Sequence, residues 1–158
     1  MNSHLLLALA FAIGIIAGLR ALTGPAVICW MAHLGVIHLE GSRLAFIGTA
    51  AAMAIFTLLA VVEIVNDKLP KTPPRTAAVS FGARIAMGIL AGSAFAMAGG
   101  GSVPLSAALG AVGAVVGTYG GYFARIRAVK ALHSPDFPIA LAEDAVAIAG
   151  AIFLVSRL

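Results

Sequence analysis

Four carboxylates stand inside or at the end of long apolar stretches of the sequence. Glu63 and Asp67 are four residues apart, a spacing that places both on one face of a helix, and Glu143 and Asp144 are adjacent within another stretch. Placing a carboxylate in hydrocarbon costs roughly 2.5–3.5 kcal/mol even on lenient insertion scales. We therefore expect these acids to be paired, hydrated or used in function.

The chemistry open to the four acids depends on the basic groups beside them. Two helices that each present two carboxylates provide oxygen ligands for a divalent cation, or a relay for protons. Adjacent arginines suit instead an anionic solute or a lipid phosphate held by paired hydrogen bonds. The residues do not single out a metal ion. The candidate solute- or ion-binding residues are Glu63, Asp67, Glu143, Asp144, Arg20, Arg75, Arg84 and Arg125.

A structural role is the alternative for the same residues. Glu63 paired with Arg84 or Arg125, and Asp144 paired with another arginine, would fix the helices against one another. Removing one partner of such a buried pair leaves an uncompensated charge, which costs about 3–5 kcal/mol. Because four acids face at least four arginines, the charge count leaves a cation site, an anion site and a scaffold open.

The elements that position these residues are predicted to be membrane helices. The 158-residue chain is 61% apolar and 10% charged, with a mean hydropathy of +1.07. An apolar run of about 18 residues or more is long enough to cross a bilayer as a helix. We predict a single domain, residues 1–158, that is an all-α, multi-pass transmembrane helical bundle. Its five candidate spans are residues 5–19, 44–66, 85–98, 104–122 and 139–156.

The basic residues indicate which ends of the helices face the cytoplasm. The segment 67–84 carries four of them and the segment 123–138 carries three, whereas the glycine-rich segment 99–103 carries none. Cytoplasmic loops of membrane proteins are enriched in lysine and arginine. Both acidic pairs are therefore predicted on the cytoplasmic half of the membrane, with the glycine-rich loop outside.

Residues 24–38 leave two topologies open. A helix of ~14 residues reaches only ~21 Å, which is too short for a comfortable span. We predict a re-entrant or interfacial helix, which gives five full spans, places the N-terminus inside and places Arg20 outside. If the segment does cross, there are six spans and the N-terminus is outside.

Pairs of glycines four residues apart predict close helix packing. Removing side chains lets helix backbones approach, which is how helices associate in lipid. We expect this packing mainly within the chain, with a homo-oligomer interface as the alternative. Residues 13–20 and 111–117 also resemble each other, and in the five-span topology they predict an inverted repeat, a feature of transporters. The glycine pairs are Gly14 and Gly18, Gly88 and Gly92, and Gly113 and Gly117.

Enzymes and nucleic-acid-binding proteins are disfavoured by the remaining residues. We find no Ser/His/Asp arrangement, phosphate-binding loop or cofactor fingerprint, so we expect no catalytic activity and no cofactor. The single Cys29 excludes an intramolecular disulfide, and His33 and His38 suit a membrane interface. The sequence pI near 9.9 reflects basic loops rather than a nucleic-acid patch, so the expected partners are membrane lipids and a small charged solute or ion.

Three segments together resemble an uncharacterised bacterial family of integral membrane proteins, described only as a domain of unknown function. The segments are AGLRALTGPA at residues 17–26, EIVNDKLPKTPPR at residues 63–75 and AEDAVA at residues 142–147. The resemblance covers nearly the whole chain. It implies a small multi-pass protein of the bacterial inner membrane and carries over no activity.

A looser similarity concerns the Glu-x-Gly-Asp-Lys-Thr pattern of cation/proton exchangers. This chain departs from it, because Glu63 and Asp67 are four apart rather than three and no glycine precedes Asp67. We predict a transporter or binder of a small charged solute, a cation or a proton-coupled substrate. The alternative is a structural or lipid-interacting membrane protein whose charge cluster only holds the helices together.

Overall fold

The computed structural model describes residues 2–69, 74–133 and 135–158, and over these ranges it contains helices and no strands. The predicted all-α fold class is confirmed. The elements are α1 (Ser3–Leu19), α2 (Thr23–His33), a 3-10 turn (Ala45–Gly48), α3 (Ala50–Asn66), α4 (Ala78–Gly99), α5 (Val103–Leu132) and α6 (Asp136–Val155).

Three of the helices, α4, α5 and α6, are long and apolar enough to cross a membrane. The helices α1 and α3 are also apolar but have 17 residues each, which corresponds to about 26 Å. Helix α3 begins later than the predicted span because Thr49 caps it: the Thr49 hydroxyl accepts a hydrogen bond from the Ala52 N–H. The apolar run before Thr49 forms the 3-10 turn instead.

Helices α4 and α5 extend beyond their predicted spans. Helix α4 begins at Ala78, so Arg84 lies within the helix rather than in a loop. Helix α5 runs unbroken to Leu132, ten residues beyond the predicted span 104–122, so Arg125, Arg127 and Lys130 lie on the helix rather than in a loop. No proline interrupts the segment, and Gly120 and Gly121 do not end the helix.

Glycines bring α1, α4 and α5 into backbone contact. A Cβ atom built on Gly14 would lie 2.9 Å from the Cα of Gly110, and one built on Gly92 would lie 3.3 Å from the same atom. Side chains at these positions would therefore push the helices apart. The prediction of close packing within the chain is confirmed, and oligomerisation through these glycines stays a prediction.

Helices α1 and α5 run in the same direction. Gly14 meets Gly110, and Gly18, one turn further along α1, meets Gly117 with a built Cβ 2.7 Å from its Cα. Residues 13–20 and 111–117 are therefore parallel neighbours. The prediction that they form an inverted repeat is wrong.

The start of α1 lies at the glycine-rich loop, because Leu6 packs on Gly101. Its other end meets the end of α3, where Glu63 accepts a hydrogen bond from the Ala21 N–H. The expectation that Arg20 faces the opposite side from the acidic pairs is therefore wrong.

Between α1 and α3 the chain returns to the glycine-loop end, as in the six-span alternative. Helix α2 is short, as predicted, and its 11 residues cover only about 17 Å of this distance. Residues 34–49 complete the return, and His33 Nδ1 at the end of α2 lies 3.0 Å from Gly48 O.

Candidate functional site: a buried charge cluster

Charged side chains from four helices and their flanking segments meet at one end of the bundle. We call this set the charge cluster. All eight predicted candidate residues belong to it, together with Lys68 and Asp136. Its acids and bases are equal in number, so the cluster is formally neutral. It consists of Glu63, Asp67, Asp136, Glu143, Asp144, Arg20, Lys68, Arg75, Arg84 and Arg125.

Arg20 is the centre of the charge cluster and is fully buried. It follows α1 in extended backbone geometry. Its Nε donates to Asp144 Oδ1 at 2.6 Å and its Nη2 to Asp67 Oδ2 at 2.8 Å. Burial alone would lower the pKa of Arg20, but the two carboxylates outweigh burial and raise it. One guanidinium thus joins the end of α1 to the end of α3 and to α6.

One oxygen of Asp67 accepts hydrogen bonds from two arginines. Its Oδ2 lies 2.8 Å from Arg20 Nη2 and 2.6 Å from Arg125 Nη1. Burial by itself would raise the pKa of Asp67, but these two hydrogen bonds hold it well below its ordinary value. Asp67 is therefore an anion at neutral pH.

Glu143 and Arg75 form a two-point ion pair. Arg75 Nη1 and Nη2 lie 2.5 and 2.8 Å from the two Glu143 oxygens, and Arg75 is only 7% exposed. Arg125 Nη1 lies 3.5 Å from Glu143 Oε2. Two parallel hydrogen bonds between a guanidinium and a carboxylate make a strong ion pair. Both oxygens of Glu143 are therefore already bound to Arg75.

Sequence reasoning missed two members of the cluster. Asp136, the first residue of α6, accepts two hydrogen bonds from Arg125 at 2.8 and 2.6 Å. Lys68 Nζ lies 2.5 Å from Asp144 Oδ2 and also donates to the Ile64 carbonyl. The available signals were the position of Asp136 in the first turn of a helix and the adjacency of Lys68 to Asp67.

Glu63 caps a helix other than its own. Its two oxygens accept hydrogen bonds from the N–H groups of Ala21 at 2.8 Å and Leu22 at 2.9 Å, just before α2. Helix α2 has no side-chain cap from its own N-cap residue, and the first N–H groups of a helix lack partners within it. A carboxylate is favourable there because of the helix dipole.

Arg84 caps the C-terminal end of α1. Its Nη1 donates to the carbonyls of Gly18 at 2.8 Å and Leu19 at 2.7 Å, the last acceptors of that helix. Arg84 Nη2 lies 3.5 Å from Glu63 Oε1, and Arg84 Nε is buried without a hydrogen-bond partner in the described part of the chain. Glu63 and Arg84 together stabilise the junction between α1 and α2.

Two of the three predicted ion pairs are present. Glu63 pairs with Arg84, and Asp144 pairs with an arginine, Arg20. The alternative of Glu63 with Arg125 is not seen among the described contacts, because Arg125 binds other carboxylates. Within the described ranges, no group of three or more His, Cys, Asp or Glu side chains is placed to hold a metal ion.

Open cavities flank the charge cluster, and two of them are lined by both Asp67 and Arg75. Cavity A, of about 350 Å³, is further lined by Leu69, Pro74, Tyr122, Arg125, Ile126, Val129, Lys130 and Asp136. Cavity B, of about 270 Å³, is further lined by Leu22, Leu59, Val62, Glu63, Asn66, Ser80 and Arg84. The charge cluster is thus reached from more than one side.

The family model described as a domain of unknown function (DUF4126) matches residues 7–156. No curated protein and no solved structure matches the chain. Because the family match covers nearly the whole sequence, the chain belongs to this family, as its motifs predicted.

Proposed function

We propose that this protein is a multi-pass protein of the bacterial inner membrane that binds a small anionic solute in cavity A. The observation that supports this most is the lining of the cavity. Three basic side chains, Arg75, Arg125 and Lys130, face two carboxylates, Asp67 and Asp136. The basic excess attracts an anion, and guanidinium groups match carboxylate and phosphate oxygens.

The pairing of the acids favours an anion over a cation. Each carboxylate of the charge cluster lies within ion-pair distance of at least one basic group of the described chain. A cation would have to displace one of those basic groups. An anion needs only to share donors that already line cavity A. The expected cation or proton-coupled substrate is therefore less well supported than an anion.

We also propose that the solute moves through the protein. Cavities A and B share the side chains of Asp67 and Arg75. A solute that moved from one cavity to the other would have to pass these two side chains. They lie at the charged end of the bundle, which the positive-inside rule assigns to the cytoplasm.

The second candidate is a structural or lipid-interacting protein. Its support is the formal neutrality of the charge cluster, together with the capping roles of Glu63 and Arg84. Both functions are compatible with the same fold. They differ in whether cavity A binds a solute.

A panel of anions tests the proposal. Purified protein in detergent is heated with phosphate, sulfate and short carboxylates, and the melting temperature is compared between wild type and Lys130→Gln. Arg127→Gln is the matched control, since Arg127 is exposed on the same helix and does not line cavity A. We expect one class of anion to stabilise wild type and Arg127→Gln more than Lys130→Gln. No stabilisation by any anion would favour the structural candidate.

A further inference from the structure

We propose that cavity B is a second site, which binds a phosphate group carried by a membrane phospholipid or free in the cytoplasm. The site is distinct from the anion site in cavity A, although Asp67 and Arg75 line both cavities. Cavity B lies between α3 and α4, since Leu59, Val62 and Glu63 line it from α3 and Ser80 and Arg84 line it from α4. Helix α3 packs against α2 rather than against α4, so the cavity opens between the two helices.

Arg84 is the cation of the charge cluster with the least anionic contact. The side chain is 95% buried, and its Nη1 donates hydrogen bonds to the carbonyl oxygens of Gly18 and Leu19. Among the described residues its nearest carboxylate, that of Glu63, is 3.5 Å away, and the buried Arg84 Nε has no hydrogen-bond partner there. A buried cation is stable only when its charge and its donors are satisfied, so this guanidinium favours an additional anion.

The carboxylate beside Arg84 cannot supply that contact fully. Both oxygens of Glu63 accept hydrogen bonds from the backbone, at Ala21 and Leu22. Those bonds hold Glu63 in place, and an anion entering cavity B would therefore meet Arg84 without competing for the same N–H groups. Arg75 and the Ser80 hydroxyl line the same cavity and offer further donors.

The outer wall of cavity B suits a lipid. Leu59 is 42% exposed and Val62 45%, and both lie on α3 beside the charged lining. An apolar helix surface that leads to buried arginines matches a phospholipid, whose acyl chains are apolar and whose phosphate is anionic. Basic pockets between membrane helices on the cytoplasmic side commonly bind such headgroups.

Delipidated protein in neutral detergent tests the proposal with three probes. They are phosphatidylglycerol in mixed micelles, diacylglycerol with the same acyl chains, and inorganic phosphate. The readouts are the shift in melting temperature and the apparent affinity. We expect a shift with phosphatidylglycerol and none with diacylglycerol. A shift with inorganic phosphate as well would identify free phosphate as a ligand, whereas its absence would identify the lipid.

Ser80→Glu places a tethered carboxylate in cavity B without removing Arg84. We expect it to weaken the phosphate response by about tenfold or more, because like charges at a binding site repel. Thr76→Glu is the matched control: it adds the same charge near the start of α4, outside the lining of cavity B. Ser80→Asp replaces Ser80→Glu if the latter does not fold.

Three results would overturn the assignment of a phosphate site. They are no shift with either phosphate probe, equal shifts with phosphatidylglycerol and diacylglycerol, or an undiminished phosphate response in the folded Ser80 variant. Lys130→Gln separates the two sites, because Lys130 lines cavity A and not cavity B. This variant should keep the response that Ser80→Glu loses.

Discussion

Arg20 and Asp144 are 124 residues apart in the chain, and Arg20 Nε lies 2.6 Å from Asp144 Oδ1. This contact joins the end of the first helix to the last helix. Since Arg20 also binds Asp67, a single fully buried side chain ties together three parts of the fold. The charge cluster therefore has a structural role, whether or not the proposed solute binds beside it.

Arg20→Gln should strongly destabilise the protein. The change removes one of the two basic partners of Asp67 and of Asp144, which keep Arg125 and Lys68, and breaking a buried pair costs about 3–5 kcal/mol. Chemical unfolding in detergent measures the loss. Arg43→Gln is the control, because Arg43 is exposed and should be neutral. Adding Asp144→Asn to Arg20→Gln should restore part of the loss, and its failure to do so would argue against the pairing.

Glu63→Gln should lower stability because a glutamine has only one side-chain acceptor oxygen. One of the N–H groups of Ala21 and Leu22 then loses its partner, at about 1–3 kcal/mol for a buried group. The melting temperature in detergent reports the change. Glu40→Gln, at an exposed acid outside the charge cluster, should melt like wild type. Equal melting of both variants would mean that Glu63 does not cap α2.

Gly110→Ala should push α5 away from α4. A Cβ there would lie 3.0 Å from the Gly88 carbonyl carbon and 3.3 Å from the Gly92 Cα, and backbone atoms cannot easily move. Gly120→Ala on the same helix meets no atom within 4 Å. Since alanine gains up to about 1 kcal/mol over glycine in a helix, the control should be neutral or stabilising. Similar thermal stabilities for the two variants would contradict the packing.

The helix ends should lie on alternating sides of the membrane, with the N-terminus on the same side as the glycine-rich loop. In a Cys29→Ser background, cysteines at Ser3 and Ser102 should react with a membrane-impermeant reagent from one side of the membrane. A cysteine at Thr76 should react from the other side. Labelling of Ser3 and Thr76 from the same side would restore the five-span topology with the N-terminus inside.

The helical fold and most of the charge cluster could be predicted from the sequence. Apolar run length and the cost of buried charge depend on composition, and they identified the helices that carry Glu63 and Glu143. The position of Arg20 could not be predicted, because it depends on how α2 and residues 34–49 return the chain to the other end. Asp136 was missed because it lies outside the apolar stretches, where a charge has no evident cost.

The sequence also could not show that Glu63 and Asp67 have different roles. Spacing shows that Glu63 and Asp67 share a helix face, but not which donors they meet. The structure shows that Glu63 binds two backbone N–H groups and that Asp67 binds two arginines. Those partners come from distant parts of the chain, and only the packed bundle brings them together.

The central claim, an anion site in cavity A, is tested most directly by calorimetric titration of the best anion from the panel. Wild type, Lys130→Gln and Arg127→Gln are titrated at low and high salt. The claim predicts a saturable isotherm for wild type and Arg127→Gln, and an affinity about tenfold lower for Lys130→Gln, because that variant loses a cavity cation. Equal affinities for Lys130→Gln and wild type, or no saturable binding in any of the three proteins, would contradict it.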